Sequence, residues 1–329
     1  MMRSSWKFLA LVVLAVTGCE PSEPATPSAP FTSHATLASL GLNMCATRRW
    51  SDYSSATPMT LTERAIDTAS GGWSVTLLSL NGEAVDAITD PDARTKAKKL
   101  EKQLAEGPGR YVIRGRDFRI RNWDLFLANY GWSLISSDTT VAGRPVHVAD
   151  VWPLNPGRPH YTVWVDQETQ LTLKYLEFMP TGELASEMEV LELEWNPDLS
   201  GVALRPEVQK ATADSQFWSS VSFQTFHLAY VPAGFALLAS ESSTLNGSIV
   251  LTQTFSDGVQ EITFGQYDPY PLNPPDMISD TDEPISVRTT TSGARIQASF
   301  DLLGTALHVH SKLTTDEVMN VLESITPNP

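Results

Sequence analysis

The stretch that decides the fold is residues 161–175, YTVWVDQETQLTLKY. Its apolar side chains recur at every second position on both sides of the polar cluster 166–169, which is the spacing of two half-buried strands joined by a tight turn. A second polar cluster, residues 180–183, leads into another apolar run that ends at Trp195. Residues 161–195 therefore predict a three-stranded antiparallel meander, with a β-bulge near Val190 where the apolar positions change from even to odd.

Upstream of the meander, the pattern predicts one strand and three helices. Residues 73–77 alternate as a strand does. Residues 60–69 predict a short helix, because Leu61, Ala65 and Ile66 share one side and two glycines follow. Asp90 and Pro91 favour the start of a helix over residues 93–106. A third helix is expected over residues 122–129, where a curved sheet could wrap around its apolar side chains.

The residues after the meander predict a second, smaller α+β domain. Residues 206–215 are polar and poor in aromatic side chains, so we interpret them as a linker between a first domain at 34–205 and a second at 216–329. Thr314 and Glu317 have capping-box spacing and predict a C-terminal helix. Between the linker and this helix, an acidic, proline-rich loop at residues 268–284 separates two groups of expected strands. The expected strands are residues 223–230, 249–255, 259–267, 285–290, 294–300 and 305–311.

The N-terminus predicts export and lipid attachment. Arg3 and Lys7 precede an apolar run at 8–16, which is too short to span a bilayer and has the layout of a secretory signal. Residues 16–19, VTGC, resemble the lipobox of bacterial lipoproteins, in which the cysteine is acylated. We therefore expect a signal peptide at 1–18, a lipid on Cys19 and a proline-rich tether at 19–33 that reaches roughly 40 Å.

This layout places the folded part in the cell envelope, facing the periplasm. Glu20 stands where an Asp commonly marks retention in the inner membrane, so the outer membrane is favoured. Once Cys19 carries lipid, only Cys45 remains, and the mature chain has no internal disulfide. Cys45 is either an inert thiol or one activated by nearby arginines.

Composition and motifs argue against several function classes. The net charge of -15 is opposite to that of a nucleic-acid binder. The sequence contains no phosphate loop, dinucleotide fingerprint, nucleophile elbow or paired-His helix, so we predict no cofactor, no catalytic residues and no enzyme activity. His308 and His310 share one strand face but lack a third ligand at suitable spacing, which favours a structural role over a metal site.

Two groups of residues are candidates for binding. Five arginines fall within residues 109–121. They either belong to a solvated edge strand and pair with the acidic strand 187–194, or they cradle an anionic group, such as a lipid phosphate or an acidic partner loop. They are Arg110, Arg114, Arg116, Arg119 and Arg121. Large apolar side chains of the first domain form either a thick core or a cavity for an acyl chain. The residues expected to line that cavity are Trp73, Trp123, Phe126, Trp132 and Trp164.

The motifs of the meander also resemble a known family. Residues 141–146 (VAGRPV), 161–174 and 182–184 (GEL) are similar to the "VAGR" turn and the W-[IV]-D-x-x-T-x-L-x-L-K hairpin of the N-terminal domain of RseB, also called MucB. The family's E-V-I-R strand looks like residues 110–114, although Tyr111 stands where an acidic residue is common. Residues 232–235 (PAGF) and 256–258 (SDG) resemble the opening and the second hairpin of its C-terminal domain.

The resemblance implies a fold and a class of partner. The fold is an α+β one: a curved antiparallel open half-barrel packed on a helix, then a smaller α+β domain. The partners implied are the periplasmic domain of an anti-sigma factor and lipid-like ligands, in the regulation of sigma-E. The alternative is a trafficking factor of the LolA and LolB kind, which binds lipoprotein acyl chains; the Asp-x-x-Thr hairpin and residues 196–197 (NP) are shared with that superfamily. Unlike RseB, this chain has a lipobox and a tether.

Overall fold

The first domain is built on nine strands: β1 (Met44–Asp52), β2 (Met59–Asp67), β3 (Trp73–Leu80), β4 (Glu83–Ala84), β5 (Tyr130–Val141), β6 (Arg144–Pro153), β7 (His160–Asp166), β8 (Thr172–Phe178) and β9 (Leu184–Trp195). In this computed structural model they form one antiparallel sheet in the order β4-β3-β2-β1-β9-β8-β7-β6-β5. Strands β4 and β5 are its two edges, so the sheet is open.

The structure describes residues 31, 36–53, 57–106, 116–206, 211–218, 220–245, 248–268 and 296–328. The predicted signal peptide 1–18, Cys19, the tether apart from Phe31, and the predicted strand 285–290 lie outside these residues. Among the helices of the described ranges, none has the length and apolar character needed to span a membrane.

The predicted meander at 161–195 is confirmed as β7, β8 and β9. The inward side chains of Tyr161, Val163 and Val165 are buried, as the period-two pattern requires. The predicted bulge is also present. The pairing of β9 with β1 skips one residue between Val190 and Glu192, which leaves Leu191 without a partner across the ladder.

The predicted helix at 60–69 is wrong, because these residues form β2. Leu61, Glu63 and Ala65 all face the interior at period two, and each is paired directly across from a residue of β1. The charged Glu63 in the middle of the inward row hides the alternation from a pattern based on apolar residues. Its ion-pair partners lie elsewhere in the sequence, so pairing with β1 and burial override the local helical spacing.

Within the described residues, three α-helices accompany the first sheet: α1 (Leu37–Leu40), α2 (Pro91–Glu106) and α3 (Trp123–Asn129). The Asp90 side chain accepts a hydrogen bond from the Ala93 N–H at 2.8 Å, so the predicted start of α2 is confirmed. Helix α3 begins after Asn122, whose side chain accepts from the Leu125 N–H. Phe126 of α3 is fully buried, whereas Leu127 is half exposed.

The nine strands curve around one core. Side chains from β3 near one edge and from β6 near the other belong to the same buried apolar cluster, together with Phe126 and Ala97 from the helices. A flat sheet of nine strands would not bring its two ends to a common set of contacts. The fold class predicted from the sequence, a curved open antiparallel sheet packed on a helix and followed by a smaller α+β domain, is confirmed.

In the part of the second domain that the structure describes, there are a six-stranded sheet and a two-stranded one. Its elements are β10 (Ala211–Thr212), α4 (Ser215–Trp218), β11 (Phe226–Leu228), β12 (Ala236–Leu245), β13 (Ser248–Ser256), β14 (Glu261–Tyr267), β15 (Ile296–Leu302), β16 (Thr305–Ser311), α5 (Thr315–Glu323) and β17 (Ile325–Pro327). The sheet order is β10-β12-β13-β14-β16-β15, and β11 pairs with β17. Strand β12 was not expected from the sequence, and β10 lies within the predicted linker.

The predicted C-terminal helix is confirmed as α5. The Thr314 side chain accepts a hydrogen bond from the Glu317 N–H, and the buried face consists of Val318, Val321 and Leu322. These side chains pack in a second apolar cluster with Phe264 of β14 and Leu307 of β16. Each domain therefore has its own core.

The hairpin between β13 and β14 depends on Gly258. Its φ of +106° is unfavourable for any other residue, and a Cβ at this position would lie 2.3 Å from the backbone nitrogen of Phe126 in α3. Gly304, in the β15–β16 turn, also has a positive φ of +76° but has open space around it. A side chain would strain the backbone at either position, but only at Gly258 would it also clash with a neighbour.

We predict that Gly258→Ala lowers the free energy of unfolding by about 1–3 kcal/mol more than Gly304→Ala, which itself costs about 1–2 kcal/mol. The additional loss comes from the clash with α3. Urea unfolding of the two variants and the wild type measures both values. Equal losses in the two variants would show that the second domain does not rest on α3 as described.

Candidate functional site

A buried ionic cluster lies on the inner face of the first sheet. Glu63 of β2 is fully buried and opposite Arg48 of β1 in the strand register. The Glu63 carboxylate accepts hydrogen bonds from Arg48 Nε at 2.6 Å and from Arg116 Nη1 at 2.7 Å. Arg48 Nη1 also donates to Asp117 at 2.9 Å, and the Arg116 guanidinium lies 5.5 Å from the centre of the Trp50 ring. Every charge in the cluster therefore has an opposite charge beside it.

The electrostatics of this cluster follow from its burial. Burial alone would raise the pKa of Glu63, but Arg116 and Arg48 outweigh it and hold that pKa below its ordinary value. Burial alone would lower the pKa of Arg48, yet Glu63 and Asp117 raise it. Both groups therefore stay charged inside the domain at neutral pH.

The structure separates the five arginines that the sequence singled out. Arg110 and Arg114 lie outside the described residues. Arg116 is engaged in the buried cluster, and Arg121 contacts Glu261 of β14 at 2.8 Å and the Val259 carbonyl oxygen. Arg119 is about one third exposed and lies 3.4 Å from Asp117. Residues 116–122 form no strand, and the described arginines pair with Glu63, Asp117 and Glu261 rather than with residues 187–194.

The five side chains expected to line an apolar cavity all belong to one apolar core or pack against it. Trp123 and Phe126 stack at 5.5 Å on α3, and Trp132 of β5 is linked to them through the ring of Phe31. Trp73 is fully buried in the same core, next to Arg205. Trp164 alternates with the buried Val163 and Val165 and has Lys174 over its ring, and it is partly buried where it packs against the same core. The interior is thus occupied by side chains, including one that the sequence placed in the tether.

A set of polar contacts joins the two domains around α3. Asn129 Nδ2 donates to the Gly234 and Asp257 carbonyl oxygens at 2.9 and 3.1 Å. Tyr130 OH donates to the Asp257 carboxylate at 2.8 Å, and the Arg121 N–H donates to the Gly258 carbonyl oxygen at 2.7 Å. Gly234, Asp257 and Gly258 come from the two motifs, 232–235 and 256–258, that the sequence marked in the second domain.

Asp257 is the most constrained group of this junction. It is 1% exposed and lies 3.8 Å from Arg158 Nε, while Arg158 also binds Glu317 of α5 at 2.6 Å. Burial raises the pKa of the Asp257 carboxyl above its ordinary value, against the hydrogen bonds from the Val259 N–H and Tyr130 OH. Lys312 adds a further contact across the junction, to Glu177 at 2.7 Å. No local sequence signal identifies these pairs, because their members are far apart in the chain.

Cys45 and His308, which were also considered for chemistry, are buried and partly buried, respectively. Cys45 is buried in the wall of a cleft of about 400 Å³, and its sulfur accepts a hydrogen bond from Arg64 rather than from Arg48 or Arg49. Burial lowers the pKa of His308 to about 4. Within the described ranges, no group of three or more His, Cys, Asp or Glu side chains is arranged to hold a metal ion.

We predict that Glu63→Gln lowers the free energy of unfolding by about 3–5 kcal/mol at pH 7, because two buried guanidinium groups lose the charge of the Glu63 carboxylate. Glu189→Gln is the matched control; its partly exposed carboxylate pairs with Arg49 and Lys174, so the loss should stay below about 1 kcal/mol. Chemical unfolding at several pH values measures both.

The pH dependence has a definite sign. Since the pKa of Glu63 is depressed in the folded state, its contribution is complete above the ordinary carboxyl pKa and disappears as the pH falls through the folded value. The difference between wild type and Glu63→Gln should therefore shrink in acid. A difference that is small at pH 7, or that grows in acid, would contradict the ionic cluster.

Comparison with known proteins identifies a family that part of this chain resembles. Residues 76–208 match the family model described as the MucB/RseB N-terminal domain. None of the curated proteins matches the chain. Among solved structures, a crystal structure of MucB is 17% identical, covers 89% of this chain and 95% of its own, and has a TM-score of 0.46.

Two further structures contain MucB with a partner. MucB in complex with MucA(peri) is 17% identical, covers 89% of this chain and 96% of its own, and has a TM-score of 0.45. The Pseudomonas aeruginosa MucA/MucB complex is also 17% identical, with 89% and 95% covered and a TM-score of 0.46. The family-model match agrees with the resemblance that the meander motifs indicated. Residues 76–208, from within β3 to beyond the end of β9, are therefore RseB/MucB-like.

Proposed function

We propose that this protein is a non-enzymatic, membrane-anchored envelope lipoprotein that binds the periplasmic segment of an anti-sigma factor and a lipid-like ligand, and so regulates envelope stress signalling as RseB does. The single observation that carries this proposal is the family-model match over residues 76–208. MucB itself is known in complex with MucA(peri). An anti-sigma factor of the MucA kind is therefore the partner proposed for this chain.

The two-domain junction supports a binding role. Contacts of Asn129, Tyr130 and Arg158 with the second domain are short, buried or partly buried, and charged or polar, so they fix the relative position of the groups they join. A partner that touches both domains would then meet a defined surface. Such a surface lowers the entropy lost on binding compared with two independently moving domains.

An exposed apolar group lies next to this junction. Leu127 of α3 and Leu154 after β6 are more than half exposed, and Trp152 of β6 packs over Gly131. The Leu154 N–H donates to the Asn129 carbonyl oxygen at 2.8 Å, which places Leu154 beside the residue that holds Gly234. We assign the anti-sigma segment to this apolar group, and we assign the acidic side chains of that segment to Arg119. The sequence-based proposal that Arg110 and Arg114 also bind anionic groups concerns residues outside the described ranges.

The first test identifies and measures the partner. Affinity purification from detergent-solubilised envelopes should recover a single-span anti-sigma factor, and its purified periplasmic segment should bind the full chain in calorimetry. Leu154→Asp should weaken this binding at least tenfold, roughly the effect of losing one central apolar contact. Ile135→Asp is the control, because Ile135 of β5 is equally exposed but lies further along the sheet.

Three outcomes count against this assignment. Recovery of acylated lipoproteins without an anti-sigma factor would decide for the LolA and LolB kind of trafficking factor. Absence of binding by the wild-type chain would overturn the proposed partner. Equal effects of Leu154→Asp and Ile135→Asp would overturn the proposed surface while leaving the partner in place.

The anchor is tested by the two cysteines of the chain. Cys19→Ser should abolish incorporation of radiolabelled palmitate and move the protein from the membrane to the soluble fraction, since the acyl chains supply the membrane affinity. Cys45→Ser, which changes a buried residue of β1, should keep both the label and the membrane location. Labelling that survives in Cys19→Ser would contradict the predicted lipidation site.

A further inference from the structure

Phe31 belongs to the segment that the sequence assigned to the tether, yet its side chain lies in the core of the first domain. It is 5% exposed and belongs to no helix or strand. The contacts that the structure describes for Phe31 are those of its ring.

Those contacts come from three separate parts of the domain. The ring of Phe31 lies 5.8 Å from Phe126 of α3, 6.1 Å from Trp132 of β5 and 6.3 Å from Phe118. Two of the three pairs are edge-on, which is a favourable geometry for aromatic rings. Phe118 in turn contacts Tyr161 of β7 at 5.0 Å. Phe31 is thus the central ring of an aromatic cluster whose other members belong to residues 118–161.

Without Phe31, the wall formed by these rings would surround an apolar space. Removal of a large buried side chain leaves such a space because the surroundings close only in part. An apolar cavity of this kind stays free of water and accepts apolar ligands. The space would lie close to charge on one side, since Phe118 stands between Asp117 and the partly exposed Arg119.

We propose that Phe31 is a removable plug: its ring fills the place of an acyl chain, and a fatty-acid-like amphiphile displaces it. The apolar chain of the ligand would contact Phe118, Phe126 and Trp132, and its anionic head would meet Arg119. This inference rests on the proposed function in taking a lipid as the ligand. It adds that the chain blocks its own site with the segment that leads to the membrane anchor.

A plug has a measurable thermodynamic consequence. The apparent affinity for a ligand is reduced by the fraction of molecules in which the site is open. In the full mature chain with Cys19→Ser, which carries no lipid of its own, Phe31→Ala should therefore bind dansyl-undecanoic acid at least tenfold more tightly than unaltered Phe31, roughly the factor expected from burial of one aromatic side chain. Phe31→Leu should lie between the two.

Leu40→Ala is the matched control. Leu40 is also an apolar residue near the start of the folded part, but it is exposed at the end of α1, so its removal should leave the affinity unchanged. Equal affinities of wild type and Phe31→Ala would overturn the plug. So would the absence of binding by either protein, and that second result would also remove the lipid from the proposed function.

A second measurement follows the ring itself and does not depend on a truncated side chain. With 4-fluorophenylalanine at position 31, saturating dodecanoate should shift the fluorine resonance from a buried to a solvent-exposed value. Persistence of the buried resonance while dodecanoate binds would overturn the proposal. Both measurements are independent of calorimetry with the anti-sigma segment. If that segment does not bind, they still test whether Phe31 is a plug.

Discussion

The pairing of β1 with β9 is the constraint on which the first domain depends. The two strands are separated by more than a hundred residues, and they join β1–β4 to β5–β9 in one sheet. The ladder places Arg48 and Trp50 beside Val190 and Met188, so that a charged and an aromatic side chain share the inner face with aliphatic ones. The bulge at Leu191 accommodates the extra residue and increases the local twist. Curvature, and with it the common core, follows from this pairing.

Placing Arg48 on the inner face then determines the arrangement of residues 116–121. A buried guanidinium needs a counter-charge, and Glu63 supplies it to both Arg48 and Arg116. The same segment ends at Arg121, whose N–H and side chain bind Gly258, Val259 and Glu261 of the second domain. Residues 116–121 thus connect the interior of the sheet to the β13–β14 hairpin. In the part of this stretch that the structure describes, Arg119 keeps the most exposed guanidinium.

The local sequence pattern was sufficient to predict an element wherever the residues that determine it lie within that element. The meander, its bulge, α2 and α5 were predicted because period, turn residues and caps all lie within each segment. Strand β2 was interpreted as a helix because Glu63 interrupts its apolar row. The buried position of Glu63 is explained by Arg48 and Arg116, which are 15 and 53 residues away. Phe31 was assigned to the tether because its neighbours in the sequence give no sign that it is buried. Its surroundings in the sequence are proline-rich, and the rings that bury it come from residues 118–132.

Phe31 also has a direct physical connection to the domain junction. Its ring contacts Phe126, which stacks on Tyr130 at 5.7 Å, and Tyr130 donates to Asp257 in the second domain. The backbone nitrogen of Phe126 is the atom that Gly258 approaches so closely that no Cβ fits. Packed side chains rearrange between discrete positions rather than deform continuously. Replacement of the Phe31 ring by a ligand would therefore move Phe126, or change its contacts with Tyr130 and Gly258. A ligand that replaces Phe31 would then bias the relative position of the domains by its different contacts with Phe126. The same side chain that closes the core would in this way couple the apolar interior to the surface that we assign to the partner.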